Sequence, residues 1–198
     1  HDEDLMMVLA PLREVLARYR GRVTLELVGV AQGHDVAKQF QGLPLSFQDP
    51  RDASFYPLFH EWMRKTLQWD IAIAPLVDNA FTRCKSDIKY LDYGALGVPG
   101  VFSDSAAYRD TVKHGETGFL AGDARSWRDG LVELIENRPL REAMGRRANH
   151  ELMATRTLTR AAPSWVEALC GLGPRSAPPG SENLDGGRFG PVRRNALA

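Results

Sequence analysis

Residues 85–104, KSDIKYLDYGALGVPGVFSD, constrain this chain more than any other stretch, because they read as a helix that stops abruptly and hands over to a buried strand. Ser86 is a good N-cap residue with Asp87 behind it in the first turn, and Ile88, Leu91 and Ala95 recur at the i, i+3, i+7 spacing of a buried helical face. The opposite face carries Ser86, Lys89 and Asp92. Gly97 stands where a left-handed residue closes a helix, and Pro99 can open a strand because its missing N–H is tolerated there. The preceding run at residues 70–76, DIAIAPL, has the continuous apolar character of a parallel strand covered on both faces. A helix between two such strands is the repeating unit of an α/β sheet.

Lys85 and Lys89 lie four apart at the positive end of that helix, where each cation is disfavoured by roughly a few tenths of a kcal/mol. A bound anion removes the conflict. Free backbone N–H groups, the Ser86 hydroxyl and two ammonium groups would converge on one point, which suits a phosphate or diphosphate. Asp92, one turn further on, is then placed to accept hydrogen bonds from a hydroxyl pair such as that of a ribose. The residues alone are equally consistent with an exposed Lys89–Asp92 pair and a solvated Lys85, since surface pairs contribute little. The connecting segment at residues 77–84, VDNAFTRC, leaves the carboxyl end of a strand and would line the ligand crevice. Asn79, Thr82 and Arg83 either contact a ligand there or belong to an ordinary polar loop.

The rest of the chain alternates helices with short apolar strands. One helix is expected over residues 2–19, with Leu5, Val8, Leu9, Leu12, Val15, Leu16 and Tyr19 inward; the Asp2, Glu3, Asp4 triplet in its first turn suits the helix dipole better than a metal. Strands follow at 23–30 and 43–48, joined by a polar connector at 33–42, and Gly29 and Gly33 make no G-x-G-x-x-G fingerprint. Phe55, Leu58, Phe59 and Trp62 mark a helix over residues 55–68 whose aromatic stripe reads as core, with His60 a surface or satisfied histidine. A strand at 98–103 leads to a short helix at 105–113 with Tyr108 and Val112 inward, a turn at 114–118 and a strand at 119–121. Helices are then expected over 123–137, with Trp127, Leu131, Leu134 and Ile135 inward, and from Pro139 at N1 through Leu140, Met144, Ala148 and Leu152. A final short helix covers 162–169.

The pattern predicts a doubly wound, mainly parallel α/β domain over residues 1–170 and a disordered Gly/Pro-rich tail over 171–198, where Arg188, Arg193 and Arg194 are solvated. Lys plus Arg and Asp plus Glu number 25 each, so no net charge draws the chain to nucleic acid or an acidic membrane. No run of about 18 apolar residues signals a membrane span. Cys84 and Cys170 form neither a disulfide framework nor a zinc spacing, which points to a reducing cytoplasm.

The string KSDIKYLDYGALGVP, followed by HGETGFL at residues 114–120, resembles the C-terminal, donor-binding half of a retaining group 1 glycosyltransferase of the GT-B fold. The resemblance runs over roughly residues 1–158. It implies a Rossmann-like domain that binds a nucleoside diphosphate sugar, needs no cofactor or metal, and passes the glycosyl group to a saccharide or lipid-linked acceptor held by an N-terminal domain. Transfer in polysaccharide or lipopolysaccharide assembly is the expected role. Lys85 and Lys89 would serve the leaving diphosphate, with Ser86, Asn79 and Arg83 beside them. Asp92 stands where the family places a ribose-binding Glu, Cys84 where a sugar-side Glu is common, and Gly100 where a β-branched residue is usual. The alternatives are a glycosyltransferase-like module that binds nucleotide or partner without turnover, and an unrelated doubly wound domain. On the resemblance, the isolated chain is incomplete, with the domain's first strand and a phosphate-binding Arg/Lys pair expected before His1 or in the loop preceding it.

Overall fold

The first amphipathic stretch forms two helices in place of the one expected, α1 (Asp2–Met7) and α2 (Leu9–Arg18). The break at Val8 lies three residues before Pro11, whose ring has no N–H to offer the Met7 carbonyl. Periodicity still places the side chains correctly: Leu5, Val8, Leu12, Val15, Leu16 and Tyr19 are all buried. The computed structural model describes residues 2–29, 38–50 and 55–171; the turn around Gly33 and the tail with Arg188, Arg193 and Arg194 lie outside them. The chain divides into two units, residues 1–160 and 161–198.

Among the described residues, five short strands carry the first unit. β1 (Leu25–Val28) and β2 (Leu45–Gln48) pair in parallel, with Leu25 opposite Leu45 and Val28 opposite Gln48. β3 (Ala72–Ala74), β4 (Gly100–Ser103) and β5 (Phe119–Ala121) form a second parallel ladder in that order. Helix α3 (Tyr56–Thr66) precedes β3, and α4 (Ile88–Leu96) joins β3 to β4. After β5 come α5 (Ala124–Glu136), α6 (Arg138–Thr155) and α7 (Leu158–Gly171).

Successive residues of β4 point to opposite faces and so belong to different cores. Val101 packs in one core with α1, α2 and α5 through Leu5, Leu12 and Trp127. Phe102 packs with α4 and α6 through Tyr90, Tyr93 and Ala148. Helices therefore cover both faces of a parallel sheet, the doubly wound arrangement the alternating pattern predicts. Between the two ladders lies a cavity of about 1420 Å³ whose walls include both β1 and β3.

Several expectations are corrected. The aromatic stripe of α3 is not core: Phe55, Tyr56 and Leu58 are exposed, only Met63 is buried, and Phe59 and Trp62 stack on each other at 5.8 Å between centroids. Residues 105–113 make successive turns rather than a helix, held by burial of Tyr108 and Val112 instead of by a continuous i to i−4 ladder. Pro139 is the second residue of α6, not the first, because Asn137 caps that helix by accepting the Leu140 N–H at 3.1 Å. Helix α7 is longer than expected and has no buried residue; Leu158, Trp165, Val166 and Leu169 are exposed.

Helix α4 is fixed along α6 at both ends. At its C-terminus Gly97 adopts φ 70° as a left-handed cap, and Asn149 donates to the Gly94 carbonyl at 2.9 Å and the Ala95 carbonyl at 3.3 Å. Gly145 lies so close that a Cβ there would sit 2.1 Å from the Gly97 carbonyl oxygen. At the N-terminus Arg156, just past α6, grips Asp87. Among the described residues no helix is long and apolar enough to cross a membrane.

Candidate functional site

The N-terminus of α4 differs in detail from its sequence reading. Asp87, not Ser86, takes the N-cap position, and its side chain makes no capping bond. Arg156 explains this: its two terminal nitrogens hold the Asp87 carboxylate at 2.8 and 3.0 Å, a bidentate pair that turns the side chain away from the helix end. That hydrogen bond raises the Arg156 pKa, and the guanidinium stays charged. Ser86 is left exposed. The inward face also differs, being Tyr90, Tyr93 and Gly94, while Ile88 is exposed.

Lys85, Ser86 and Lys89 do come together, all three on the wall of the cavity between the ladders. Pro75, at the carboxyl end of β3, lines the same cavity. The Lys85 ammonium lies 5.4 Å from the centroid of the exposed Phe81 ring, a cation–π contact that poises the charge beside the helix end.

Asp92 is not on an exposed face; its side chain is only 1% accessible. One carboxylate oxygen accepts the Tyr56 O–H at 2.5 Å, and the other faces the Lys89 ammonium at 3.7 Å. Burial first, and the bond to Asp92 second, raise the Tyr56 phenol well above its ordinary pKa, so it stays a donor. Beneath this group Tyr93 donates to the Ile73 carbonyl at 3.0 Å, tying α4 to β3.

Asn79 and Arg83 are not on the cavity wall with the lysines. Asn79 and Thr82 close the loop on themselves: the Asn79 N–H donates to the Thr82 hydroxyl and the Thr82 N–H to the Asn79 side-chain oxygen, both at 2.9 Å. Arg83 makes two bonds to Asp78, at 2.7 and 3.0 Å. The Arg83 bond holds the Asp78 carboxyl below its usual range. Among the described residues no group of three or more His, Cys, Asp or Glu could hold a metal ion. Asp4 instead accepts the Val77 N–H at 2.8 Å.

Sequence reasoning missed Tyr56, Phe81 and the Asp87–Arg156 pair. An exposed tyrosine opening a helix 36 residues before its partner carries no local signal. Arg156 lies 69 residues from Asp87 and falls where a helix ends, so only the packing of α6 on α4 joins them.

Parallel ladders, helices on both faces, and polar groups on the wall of the cavity lined by β1 and β3 define a doubly wound α/β domain. The model of the family described as group 1 glycosyl transferases matches residues 3–137, and the chain belongs to that family. Solved structures share the fold, three of them as follows. Anabaena HepE in complex with UDP-glucose has 17% identity and a TM-score of 0.62 over 84% of this chain and 44% of its own. HepE in complex with UDP has 16% identity and a TM-score of 0.64, again over 84% and 44%. A Rickettsia africae glycosyltransferase has 15% identity and a TM-score of 0.62 over 86% and 45%. The chain thus spans less than half the length of these neighbours. No curated protein matches it.

Proposed function

We propose that this chain is the donor-binding part of a retaining, metal-independent glycosyltransferase. It would move a glycosyl group from a nucleoside diphosphate sugar to an acceptor hydroxyl in polysaccharide or lipopolysaccharide assembly. The observation that carries the reading is the gathering of Lys85, Ser86 and Lys89 on the cavity wall at the N-terminus of α4, in a chain of the group 1 family. Charge grows on the leaving diphosphate as the glycosidic bond breaks. Ammonium groups and helix N–H groups fixed beside it lower the barrier without having to reorganise. Asp92 is the acceptor for the ribose diol, and Asn79 and Arg83 reach the donor sugar or phosphate only by giving up their bonds to Thr82 and Asp78. That HepE is seen with UDP and UDP-glucose supports a uridine nucleotide as the first ligand to try. The saccharide or lipid-linked acceptor comes with an N-terminal domain, and the two exposed free thiols, Cys84 and Cys170, suit a reducing cytoplasm.

A second reading, binding without turnover, is favoured by the covered Asp92 carboxylate, and the resemblance, which implies a sugar-side Glu at Cys84, points the same way. A thermal-shift panel of nucleoside diphosphates and their sugars, followed by donor hydrolysis and transfer assays, separates the two. Lys89→Ala should weaken nucleoside diphosphate binding about tenfold and nucleoside binding less, because a charge-assisted bond contributes about 1.5–3 kcal/mol. Equal loss for both ligands in calorimetry would refute the phosphate assignment.

A further inference from the structure

Asp92 cannot meet a ribose where it stands. Its side chain is 1% accessible, so whatever covers the carboxylate must move before a diol can reach it. Among the described residues two polar groups bond or pair with it, and they differ in freedom. Lys89 is on the same helix three residues away and travels with Asp92, at 3.7 Å. Tyr56 comes from another element, as the first residue of α3, and its neighbours Phe55 and Leu58 are exposed as well. Tyr56 itself is 47% accessible, so its ring gives up little burial by rotating away. Tyr93 supplies the contrast, being buried and bonded to the Ile73 carbonyl, with no room to leave.

We propose that Tyr56 guards the ribose site: its phenol O–H occupies the Asp92 carboxylate in the empty domain and is displaced by a ribose hydroxyl when nucleotide binds. The inference rests on the donor-binding reading and adds to it a residue that sets how tightly a ribose is held. The guard serves the empty state. A buried carboxylate without a donor is costly, and the phenol satisfies one oxygen until the ligand does so. Exchange of one O–H donor for another leaves the number of bonds to Asp92 unchanged, so part of the ribose contact is offset by release of the phenol. Nucleotides lacking the diol cannot make the exchange and find the site closed.

Replacing Tyr56 with Phe removes the competing donor and keeps the ring. Calorimetry on the full chain would compare the wild type and Tyr56→Phe with the diphosphates of uridine, guanosine and adenosine and with their 2′,3′-dideoxy counterparts. The expected result is about tenfold tighter binding of the preferred ribonucleotide by Tyr56→Phe and no change for its dideoxy counterpart, with a lower melting temperature for the ligand-free variant. A second measurement uses the wild type alone: one tyrosine ring resonance should shift on ribonucleotide binding and not on dideoxynucleotide binding, and should be missing from the Tyr56→Phe spectrum. A purely structural tyrosine would alter both ligands equally. Unchanged or weaker ribonucleotide binding by Tyr56→Phe overturns the guard while leaving the donor-binding reading intact, provided Lys89→Ala still loses the diphosphate selectively. If neither protein binds any of these nucleotides, the donor-binding reading fails and the guard with it.

Discussion

Adding one methyl group at Gly145 tests how α4 is held in place. An ideal Cβ there would sit 2.1 Å from the Gly97 carbonyl oxygen, 3.0 Å from the Gly97 carbonyl carbon and 3.1 Å from the Pro99 Cδ. Non-bonded heavy atoms settle at roughly 3.5 Å, so the two backbones must part by more than 1 Å. None of the nearest atoms is the end of a flexible side chain. Asn149 also bonds the Gly94 and Ala95 carbonyls, so parting the helices strains those bonds as well. Overpacking against a rigid neighbour costs about 3 kcal/mol, and the helical preference for alanine offsets about 1 kcal/mol. Gly145→Ala should therefore lose about 2 kcal/mol, a fall in Tm of about 4–8 °C for a domain of this size. Gly130→Ala is the matched control in α5, because its nearest neighbour, the Phe119 Cβ, is 3.4 Å away in ordinary contact. It should gain up to about 1 kcal/mol. Gly94→Ala should fall between them, since its closest contact at 3.2 Å is the Leu152 Cδ1, a side-chain end that can yield. Calorimetric and urea melts of the three variants give the ranking directly. Because Lys89 and Asp92 ride on α4, Gly145→Ala should also weaken nucleotide binding below its melting range, and Gly130→Ala should not. A Gly145→Ala protein as stable as Gly130→Ala would refute the close approach of the two helices.

Arg156→Ala should destabilise by about 2 kcal/mol: it strands an Asp87 carboxylate that is 9% accessible, though Arg156 itself is 38% accessible and water moderates the loss. Urea unfolding measures this, with Arg156→Lys keeping part of the stability and the double variant Arg156→Ala, Asp87→Ala more stable than Arg156→Ala alone. The carboxyls of Asp78, Asp123 and Asp129 are lowered, first by the Arg83 side chain, the Ser126 backbone N–H and the Arg128 side chain respectively. Groups depressed on folding stabilise fully above their unfolded pKa, near 3.9 for Asp, and that stability is lost as pH falls through the lower folded values. Melting temperature should thus be flat between about pH 5 and 7 and drop below about pH 4; a profile that stays flat down to pH 2 would contradict these pairings.

What the sequence made legible was local. Helix α5 is visible because Trp127, Leu131 and Leu134 recur at helical spacing; the structure adds a capping box closed by Asp123 and Ser126. Gly97 is legible as the end of α4 because only a residue free to take positive φ closes a helix that way. The phase of α4 was not, since its inner face is built from Tyr90 and Tyr93, residues with polar tips, while the purely apolar Ile88 is exposed. The aromatic stripe of α3 shows the limit of periodicity, which reports an apolar face but not whether anything lies against it. Lys85, Ser86 and Lys89 share the cavity wall because a helix end gathers neighbours in sequence. The cover on Asp92 was not legible, because α3 supplies it from across the fold.

The cavity between the ladders has a further consequence in the hydrogen-exchange behaviour of the sheet. Along β1 the Leu25 and Gly29 N–H groups reach to the Pro44 and Gln48 carbonyls, so by alternation those of Glu26 and Val28 point the other way, toward the cavity. Along β3 the Ala72 N–H bonds the Pro99 carbonyl, which turns that of Ile73 toward the same space. Backbone groups facing a cavity need partners, and water is the one always present. Water is therefore expected along the two lines of strand edge, whereas Leu12, Val15 and Met63 line the same cavity with apolar side chains. The amides of Glu26, Val28 and Ile73 should exchange with solvent far faster than their immediate neighbours, alternating fast and slow through the middle of a parallel sheet where uniform protection would otherwise be found.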